Sequence, residues 1–231
     1  MKYAGVFGLL GVYLIGLAVI VRGWGWLLVW PGGSLLLVAA AFAGLGPRVF
    51  GKRRDGTVSW WALLALFPYL LLTWVVWQFL RLTSKEPCCH EIVTGIWVGR
   101  RVYASELPAD VSLIVDLTAE FPEPRAVRAG RSYVCLPTLD TTAPNADALR
   151  AVVRRVDEHR GGVYIHCASG HGRAATVAAA LLLARGLAAD VRQAESLLRR
   201  VRPGIRLKRV QRALLERVLA GSDDDRPRPL V

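Results

Sequence analysis

Two residues six positions apart, Cys167 and Arg173, form the part of this chain best suited to chemistry. A short apolar run ends at Cys167 and an Ala/Leu-rich run follows Arg173, so the pattern predicts a loop between a strand and a helix. Such a loop points its backbone N–H groups inward at a helix N-terminus, where they bind anions and stabilise a cysteine thiolate. A thiolate beside a bound phosphate, with a guanidinium to grip two phosphate oxygens, predicts phosphocysteine chemistry.

The run from His166 to Arg173 resembles the signature of the protein-tyrosine-phosphatase superfamily, which is His-Cys, five residues, Arg. Residues 91–219 are similar to compact dual-specificity phosphatases, particularly the mitochondrial-type lipid phosphatases that act on phosphatidylglycerophosphate. The resemblance implies that Cys167 is the nucleophile and that Arg173 binds phosphate. It also implies a phosphate-binding loop made of His166, Ala168, Ser169, Gly170, His171 and Gly172. The alternative is a buried cysteine with Arg173 as a salt-bridge partner, which does not require the two loop glycines.

One position departs from the family pattern. The family usually carries Ser or Thr directly after the arginine, where the hydroxyl helps the thiolate leave, whereas this chain has Ala174 there. Thr176 lies two residues further along the helix. Either another donor such as Ser169 replaces the missing hydroxyl, or the phosphoenzyme breaks down slowly. A domain that binds phosphate without hydrolysing it is a further alternative.

A general acid is expected as the second catalytic element, because an unassisted alkoxide is a poor leaving group. We predict Asp140, which follows a strand and lies 27 residues before Cys167. The resembled family has its acid at about this separation, and its lipid phosphatases share a similar Leu-x-Thr-x-Asp-x-Thr run. The alternative is that Asp140 or Thr142 caps the helix after Pro144. Asp116 also ends a strand, but its register favours a role in organising its loop.

The remaining histidines and cysteines are predicted to be mostly structural. His166 is expected to hold the loop by hydrogen bonds, whereas His171 either faces the substrate or is only exposed. His90 and His159 are interpreted as surface residues. The four cysteines do not indicate a disulfide framework, since Cys88 and Cys89 are adjacent and could hardly pair without strain. A reduced, intracellular protein is the preferred interpretation.

The first 82 residues are predicted to form a membrane domain. Three apolar segments, at about 3–21, 24–43 and 58–80, are each long enough to cross a hydrocarbon core of about 30 Å. Seven of the eight tryptophans lie before Arg81 and cluster near the segment ends, as in an aromatic belt. A buried helix pair of a soluble protein is the alternative interpretation.

The orientation of this domain follows from its basic loop. Residues 47–56 carry four cationic side chains against Asp55, so we expect the loop to stay cytoplasmic. A full third span would then place the catalytic cysteine outside the cytoplasm, where its thiolate would oxidise. Pro68 interrupts the third segment, so we favour two spans and a re-entrant or interfacial third segment, three full spans in either orientation being the alternative. The favoured arrangement puts the catalytic domain on the cytoplasmic face.

Residues 83–219 are predicted to form an α/β domain, in which a small central sheet is flanked by helices. Short apolar runs bounded by Gly, Pro and Asp indicate strands at 96–99, 113–117, 132–136 and 163–166. Apolar residues at helical spacing indicate helices at 146–158, 174–185, 191–201 and 207–219. We expect the helix at 174–185 to be buried behind the loop. Residues 220–231, which contain three consecutive aspartates and two prolines, are predicted to be a disordered tail.

The net charge of the chain is +12, which indicates that its partners are anionic. Basic residues crowd the C-terminal helices: Arg199, Arg200, Arg202, Arg206, Lys208, Arg209 and Arg212. No aromatic residues are interleaved with these basic residues, so the pattern favours binding to an anionic membrane surface over binding to nucleic acid. The alternative is an ordinary solvent-exposed helix face.

The predicted function is that of a membrane-anchored phosphatase that needs no metal or cofactor, because the loop and Arg173 balance the developing charge. A phospholipid monoester such as phosphatidylglycerophosphate is the favoured substrate. Phosphotyrosine or phosphoserine/threonine proteins are the alternative, and soluble inositol or sugar phosphates are another.

Overall fold

A computed structural model describes residues 2–223 of the chain, with side chains described through residue 220. The chain divides into two compact units. The first contains the residues up to Lys85 together with 119–123, and the second contains 86–118 and the residues from Pro124 onward.

The first unit is built from apolar helices. They are α1 (Lys2–Val21), α2 (Val29–Ala40) and α3 (Trp60–Thr83). Helices α1 and α2 pack closely through small residues, since a Cβ at Gly11 would lie 2.8 Å from the Gly32 carbonyl oxygen. Such contacts are typical of helices that associate in lipid. Three stretches, Lys2–Val21, Gly23–Phe50 and Trp60–Thr83, are long and apolar enough to cross a membrane.

The predicted break in the third segment is wrong. Helix α3 is continuous over its 24 residues, with Pro68 inside it. A proline removes one N–H donor, and the other hydrogen bonds of a long helix can keep it intact. At 1.5 Å per residue the helix is about 36 Å long, which exceeds the hydrocarbon core of a bilayer. The irregular segment is the second one, where α2 gives way to π and 3₁₀ turns around Gly44 and Gly46, both with positive φ.

The second unit contains a five-stranded mixed sheet flanked by helices. The strands lie in the order β1-β2-β5-β3-β4, with β1 antiparallel to β2 and every other pair parallel. The strands are β1 (Cys89–Val93), β2 (Ile96–Arg100), β3 (Val111–Thr118), β4 (Ser132–Thr138) and β5 (Gly162–Cys167). The helices are α4 (Arg125–Arg128), α5 (Ala146–Asp157), α6 (Arg173–Ala184), α7 (Val191–Val201) and α8 (Arg209–Asp223).

This architecture confirms the predicted fold class, with four strands and four helices near their predicted positions. Strand β1 and the single turn α4 were not predicted. Strand β1 reads Cys-His-Glu-Ile-Val and has no alternating apolar pattern, as is common for a half-exposed strand at the edge of a sheet. Helix α8 runs four residues past its predicted end. Residues 224–231 of the predicted tail lie outside the described residues.

The sheet brings the functional loops to one edge. All six residues of β5 are buried between β2 and β3, and α6 is buried from Arg173 to Leu183. The register pairs Asp116 with His166 and Thr118 with Thr138. Because the carboxyl ends of parallel strands meet at the same edge, the loops after β3, β4 and β5 converge there.

Candidate active site

Cys167 ends β5 and begins the loop that leads to α6. Its side chain is buried, and its sulfur accepts a hydrogen bond from the Gly170 N–H at 3.2 Å. The Ala168 carbonyl accepts from the Arg101 N–H at 3.2 Å, which anchors the start of the loop beside β2. The loop therefore curls around the sulfur, with the N-terminus of α6 directly following it.

Gly170 is required by the shape of this loop. Its φ is +78°, a conformation that side-chain-bearing residues rarely adopt. A Cβ there would overlap the Gly99 carbonyl group and lie 2.8 Å from the Arg100 nitrogen. These neighbours are backbone atoms of β2, so they cannot swing aside.

Arg173 opens α6 and turns its guanidinium toward the loop after β4. Its Nη1 donates to the Thr138 carbonyl at 2.9 Å, and its Nη2 lies 3.3 Å from Asp140 Oδ1. The Arg173 side chain is 1% exposed, whereas that of Asp140 is 69% exposed. The structure thus brings together the predicted guanidinium and the predicted acid, with the carboxylate open to solvent.

The cap interpretation of the acid loop is wrong. Asn145 is the residue that caps α5, since its Oδ1 accepts from the backbone N–H groups of Asp147 and Ala148 at 2.9 and 3.3 Å. The Thr142 hydroxyl instead donates to the Leu139 carbonyl at 2.8 Å, inside its own turn. Asp140 is therefore left facing Arg173.

Asp116 is fully buried and organises the end of β3, as its register suggested. It accepts hydrogen bonds from the Thr118 N–H and hydroxyl at 2.8 and 2.7 Å and from the Tyr133 hydroxyl at 2.7 Å. Burial, reinforced by Asp116, raises the pKa of Tyr133 far above its ordinary value, so its phenol stays a donor. His166 lies beside this cluster, fully buried, with Nε2 4.0 Å from Asp116 Oδ1.

The position after Arg173 carries no hydroxyl, and the neighbouring hydroxyls differ in what they contact. Ala174 is fully buried. The Thr176 hydroxyl donates to the Gly172 carbonyl at 3.0 Å, which ties it to the helix backbone. Ser169 is an exposed residue within the loop. Because the Thr176 hydroxyl bonds to its own helix, Ser169 remains the candidate donor that the sequence offers.

Two side chains near the loop were missed by sequence reasoning. Gln211 is fully buried; its amide donates to the Thr142 carbonyl at 2.9 Å and its oxygen accepts from the Lys208 N–H at 2.8 Å. The sequence feature that could have indicated a buried Gln211 is its position on the same helix face as the apolar Leu214 and Leu215. Glu86 lies 2.6 Å from the ring of His171, across 85 residues of sequence, and no local pattern predicts such a contact.

Three expectations about surface residues are corrected. Arg202, assigned to the basic face, is 1% exposed, because its guanidinium turns inward to Glu86 and to the carbonyls of Pro87 and Ser169. Arg212 pairs with Glu195 at 2.8 Å, so its charge is already matched. His90 is half-buried, with Nδ1 3.1 Å from Arg202 Nη1.

Cys88 and Cys89 lie where the chain enters β1. Their sulfurs are 3.7 Å apart, and both are free thiols. The hydrogen bond from Cys89, helped by the charge of Arg100, lowers the pKa of Cys88 despite its partial burial. Cys88 is therefore the one of the two that we expect to react as a thiolate.

Most of the catalytic unit matches the model of one known protein family. Residues 99–218 match the model described as "PTP-SAK: Swiss Army Knife protein, DSP-PTPase phosphatase domain", which is just over half of the chain. No curated protein sequence matches the chain.

Solved structures resemble the second unit in fold. The active form of Tk-PTP is 29% identical, with a TM-score of 0.53, covering 58% of this chain and 97% of that one. PTPMT1 in complex with PI(5)P is 20% identical, with a TM-score of 0.54, covering 59% and 97%. Human DUSP28 is 19% identical, with a TM-score of 0.52, covering 59% and 99%.

Proposed function

Since this chain belongs to the Swiss Army Knife family of DSP-PTPase phosphatase domains and is a phosphoric monoester hydrolase, we propose that it acts through a phosphocysteine intermediate on Cys167. Arg173 and the loop N–H groups of residues 168–172 hold the phosphate oxygens. Asp140 serves as general acid and then as general base. Three protein groups thus supply the nucleophile, the charge balance and the proton.

In the first step the Cys167 thiolate attacks phosphorus in line with the ester oxygen. The S–P bond forms as the P–O ester bond breaks, and Asp140 donates its proton to the departing oxygen. The guanidinium of Arg173 faces Asp140 at 3.3 Å, so a phosphate held by Arg173 lies beside the acid. The leaving group departs as a neutral alcohol.

In the second step water attacks phosphorus and the S–P bond breaks, which releases inorganic phosphate and the thiolate. The Asp140 carboxylate takes a proton from the water and is ready for the next cycle. Ser169, an exposed residue of the loop, stabilises the departing sulfur in place of the hydroxyl that Ala174 lacks.

The observation that carries this proposal is the loop amide hydrogen bond to the Cys167 sulfur, from Gly170 at 3.2 Å. The test is turnover of p-nitrophenyl phosphate by the full chain in detergent micelles. Cys167→Ser is expected to abolish turnover while binding of inorganic phosphate persists, and Cys135→Ser, a change of the same type on β4, is expected to retain turnover. Binding of inorganic phosphate without turnover by the unaltered protein would instead favour a phosphate-binding module.

For the substrate we propose a phospholipid monoester such as phosphatidylglycerophosphate. PTPMT1, a structural neighbour of this fold, was solved with PI(5)P bound. The chain also carries three helices long and apolar enough to cross a membrane. Basic residues remain exposed near the C-terminal helices, namely Arg199, Arg200, Arg206, Lys208 and Arg209, and each contributes about 1 kcal/mol of attraction close to an anionic surface.

The substrate test compares two monoesters on one preparation. Phosphatidylglycerophosphate in mixed micelles is expected to give a kcat/KM at least tenfold above that of a phosphotyrosine peptide. A preference for the peptide would support the protein-phosphatase alternative, and equal, low values for both would favour a soluble phosphate ester.

We also propose that the membrane segments anchor the protein with its catalytic unit on the cytoplasmic face. The support is chemical, since a catalytic thiolate persists in a reducing compartment. If the basic loop at 47–56 is cytoplasmic and α3 spans the membrane, the catalytic unit would lie on the opposite face instead. Measuring the topology decides between the two placements. A membrane-impermeant maleimide applied to intact cells is expected to leave Cys88 unlabelled, and labelling would place the catalytic unit outside.

A further inference from the structure

The guanidinium of Arg202 ties the phosphate-binding loop to the start of the catalytic unit. Its Nη1 donates to the Pro87 carbonyl at 2.9 Å and lies 3.1 Å from His90 Nδ1. Its Nη2 donates to the Ser169 carbonyl at 3.1 Å and lies 2.8 Å from Glu86 Oε2. One buried side chain therefore contacts the loop on one side and residues 86–90 on the other.

Glu86 gives the loop a second attachment. Its Oε2 lies 2.6 Å from His171 Nε2, so the same carboxylate oxygen contacts both Arg202 and a loop side chain. The His171 carbonyl accepts from the Arg206 N–H at 3.1 Å, and a Cβ on Gly204 would overlap the His171 ring. The second half of the loop is thus held at Ser169 and at His171.

The energetics favour a rigid arrangement. Arg202 is 1% exposed, and an uncompensated charge at such a depth would be strongly destabilising. Glu86 compensates that charge, and the carbonyls of Pro87 and Ser169 accept from separate arms of the guanidinium fork. A lysine has one ammonium in place of this planar fork, so it cannot reproduce the contacts. His90 can remain an acceptor, because burial, together with the charge of Arg202, lowers its pKa.

The anchoring segment lies outside the region that the family model describes. Glu86, Pro87 and His90 precede residue 99, where the match begins. In sequence they follow α3, which ends at Thr83. The loop is therefore supported by the first residues of the catalytic unit, which lie before the matched region.

We propose that Arg202 and Glu86 are positioning residues that hold Ser169 and His171 so that the loop amides converge on the phosphate. This rests on the proposed function, since it concerns the same loop. Neither side chain has a role in bond making; each acts through the loop backbone. Displacing catalytic groups by about 1 Å can cost on the order of 100-fold in rate, so loss of either attachment is expected to slow turnover strongly.

The test uses the full chain in detergent micelles with Glu86→Gln and Arg202→Lys. Both are expected to lower kcat/KM for p-nitrophenyl phosphate about 10- to 100-fold per folded molecule and to weaken inhibition by orthovanadate by a similar factor. Glu86→Gln keeps the shape of the side chain, so it carries the test if Arg202→Lys does not fold. Arg192→Gln, an exposed charge change on α7, is the matched control and should match the unaltered protein.

Two results would overturn the proposal. One is a Glu86→Gln protein with unaltered kcat/KM and unaltered vanadate affinity. The other is a loss of activity that disappears once rates are normalised to the folded fraction, which would make the role purely one of stability. Failure of the catalytic proposal would look different, because Cys167→Ser would then retain turnover.

Discussion

Gly170→Ala is the perturbation whose consequences follow most directly from the geometry of the loop. Gly170 has φ +78° and lies against the backbone of Gly99 and Arg100. An alanine there must accept an unfavourable left-handed conformation and also displace main-chain atoms of β2. Either the loop moves away from β2 or the strand shifts, and both move the amide that donates to Cys167.

The magnitude has two parts. A left-handed conformation costs a non-glycine residue roughly 1–2 kcal/mol, and overpacking typically adds about 1–3 kcal/mol. Their sum, about 2–5 kcal/mol, corresponds to a fall in Tm of roughly 6–15 °C at about 3 °C per kcal/mol for a unit of this size. Because the loop amides must converge on phosphate within a fraction of an ångström, turnover is expected to fall by on the order of 100-fold.

The assay combines thermal unfolding with p-nitrophenyl phosphate kinetics on the full chain. Gly130→Ala is the matched control, since Gly130 has φ +70° but no atom near its added Cβ. It should lose only the conformational part, about 1–2 kcal/mol, with unaltered kcat. If Gly170→Ala matched the control in both Tm and kcat, the reasoning from close packing against β2 would be refuted.

Three further predictions concern other groups. Asp140→Asn is expected to lower kcat for alkyl phosphates by roughly 10²–10⁴-fold but to affect p-nitrophenyl phosphate much less, as a leaving-group series would measure. Burial opposes ionisation of Glu195, but hydrogen bonds from Arg212 and the Leu207 N–H outweigh it and lower its pKa below the ordinary 4.5. Glu195→Gln should therefore lower stability at pH 7, by about 1 kcal/mol, and this difference should vanish as the pH falls through the lowered pKa, in thermal melts from pH 7 to pH 3. The lowered pKa of Cys88 should make Cys88 react with iodoacetamide at pH 7 faster than Cys135 does. Cys89→Ala should slow the reaction of Cys88. If mass spectrometry shows equal rates for Cys88 with and without Cys89→Ala, the assigned hydrogen bond is contradicted.

The parts of the site that lie close together in sequence could be predicted. Cys167 and Arg173 flank one loop, and the apolar strand before it and the apolar helix after it mark its position. Asp140 was predicted as the acid from its separation from Cys167 and from a resemblance, and the structure adds its contact with Arg173. The strand before the loop and the helix after it could be predicted because local pattern determines them.

The parts that depend on distant contacts could not be predicted. Arg202 was assigned to the surface because arginines crowd its region, yet its acceptors Pro87 and Ser169 lie 115 and 33 residues away. Glu86 gave no signal, since its partners come from two other segments. Pro68 was given too much weight, because one lost hydrogen bond does not break a helix with 24 residues.

The central claim is that Cys167 carries the phosphoryl group between the two steps. It is tested most directly by rapid acid quench of the full chain during turnover of a ³²P-labelled monoester, followed by tryptic mapping. Label is expected on the peptide of residues 161–173, with none in Cys167→Ser. Steady turnover with no labelled peptide, or with label on a different residue, would contradict the account.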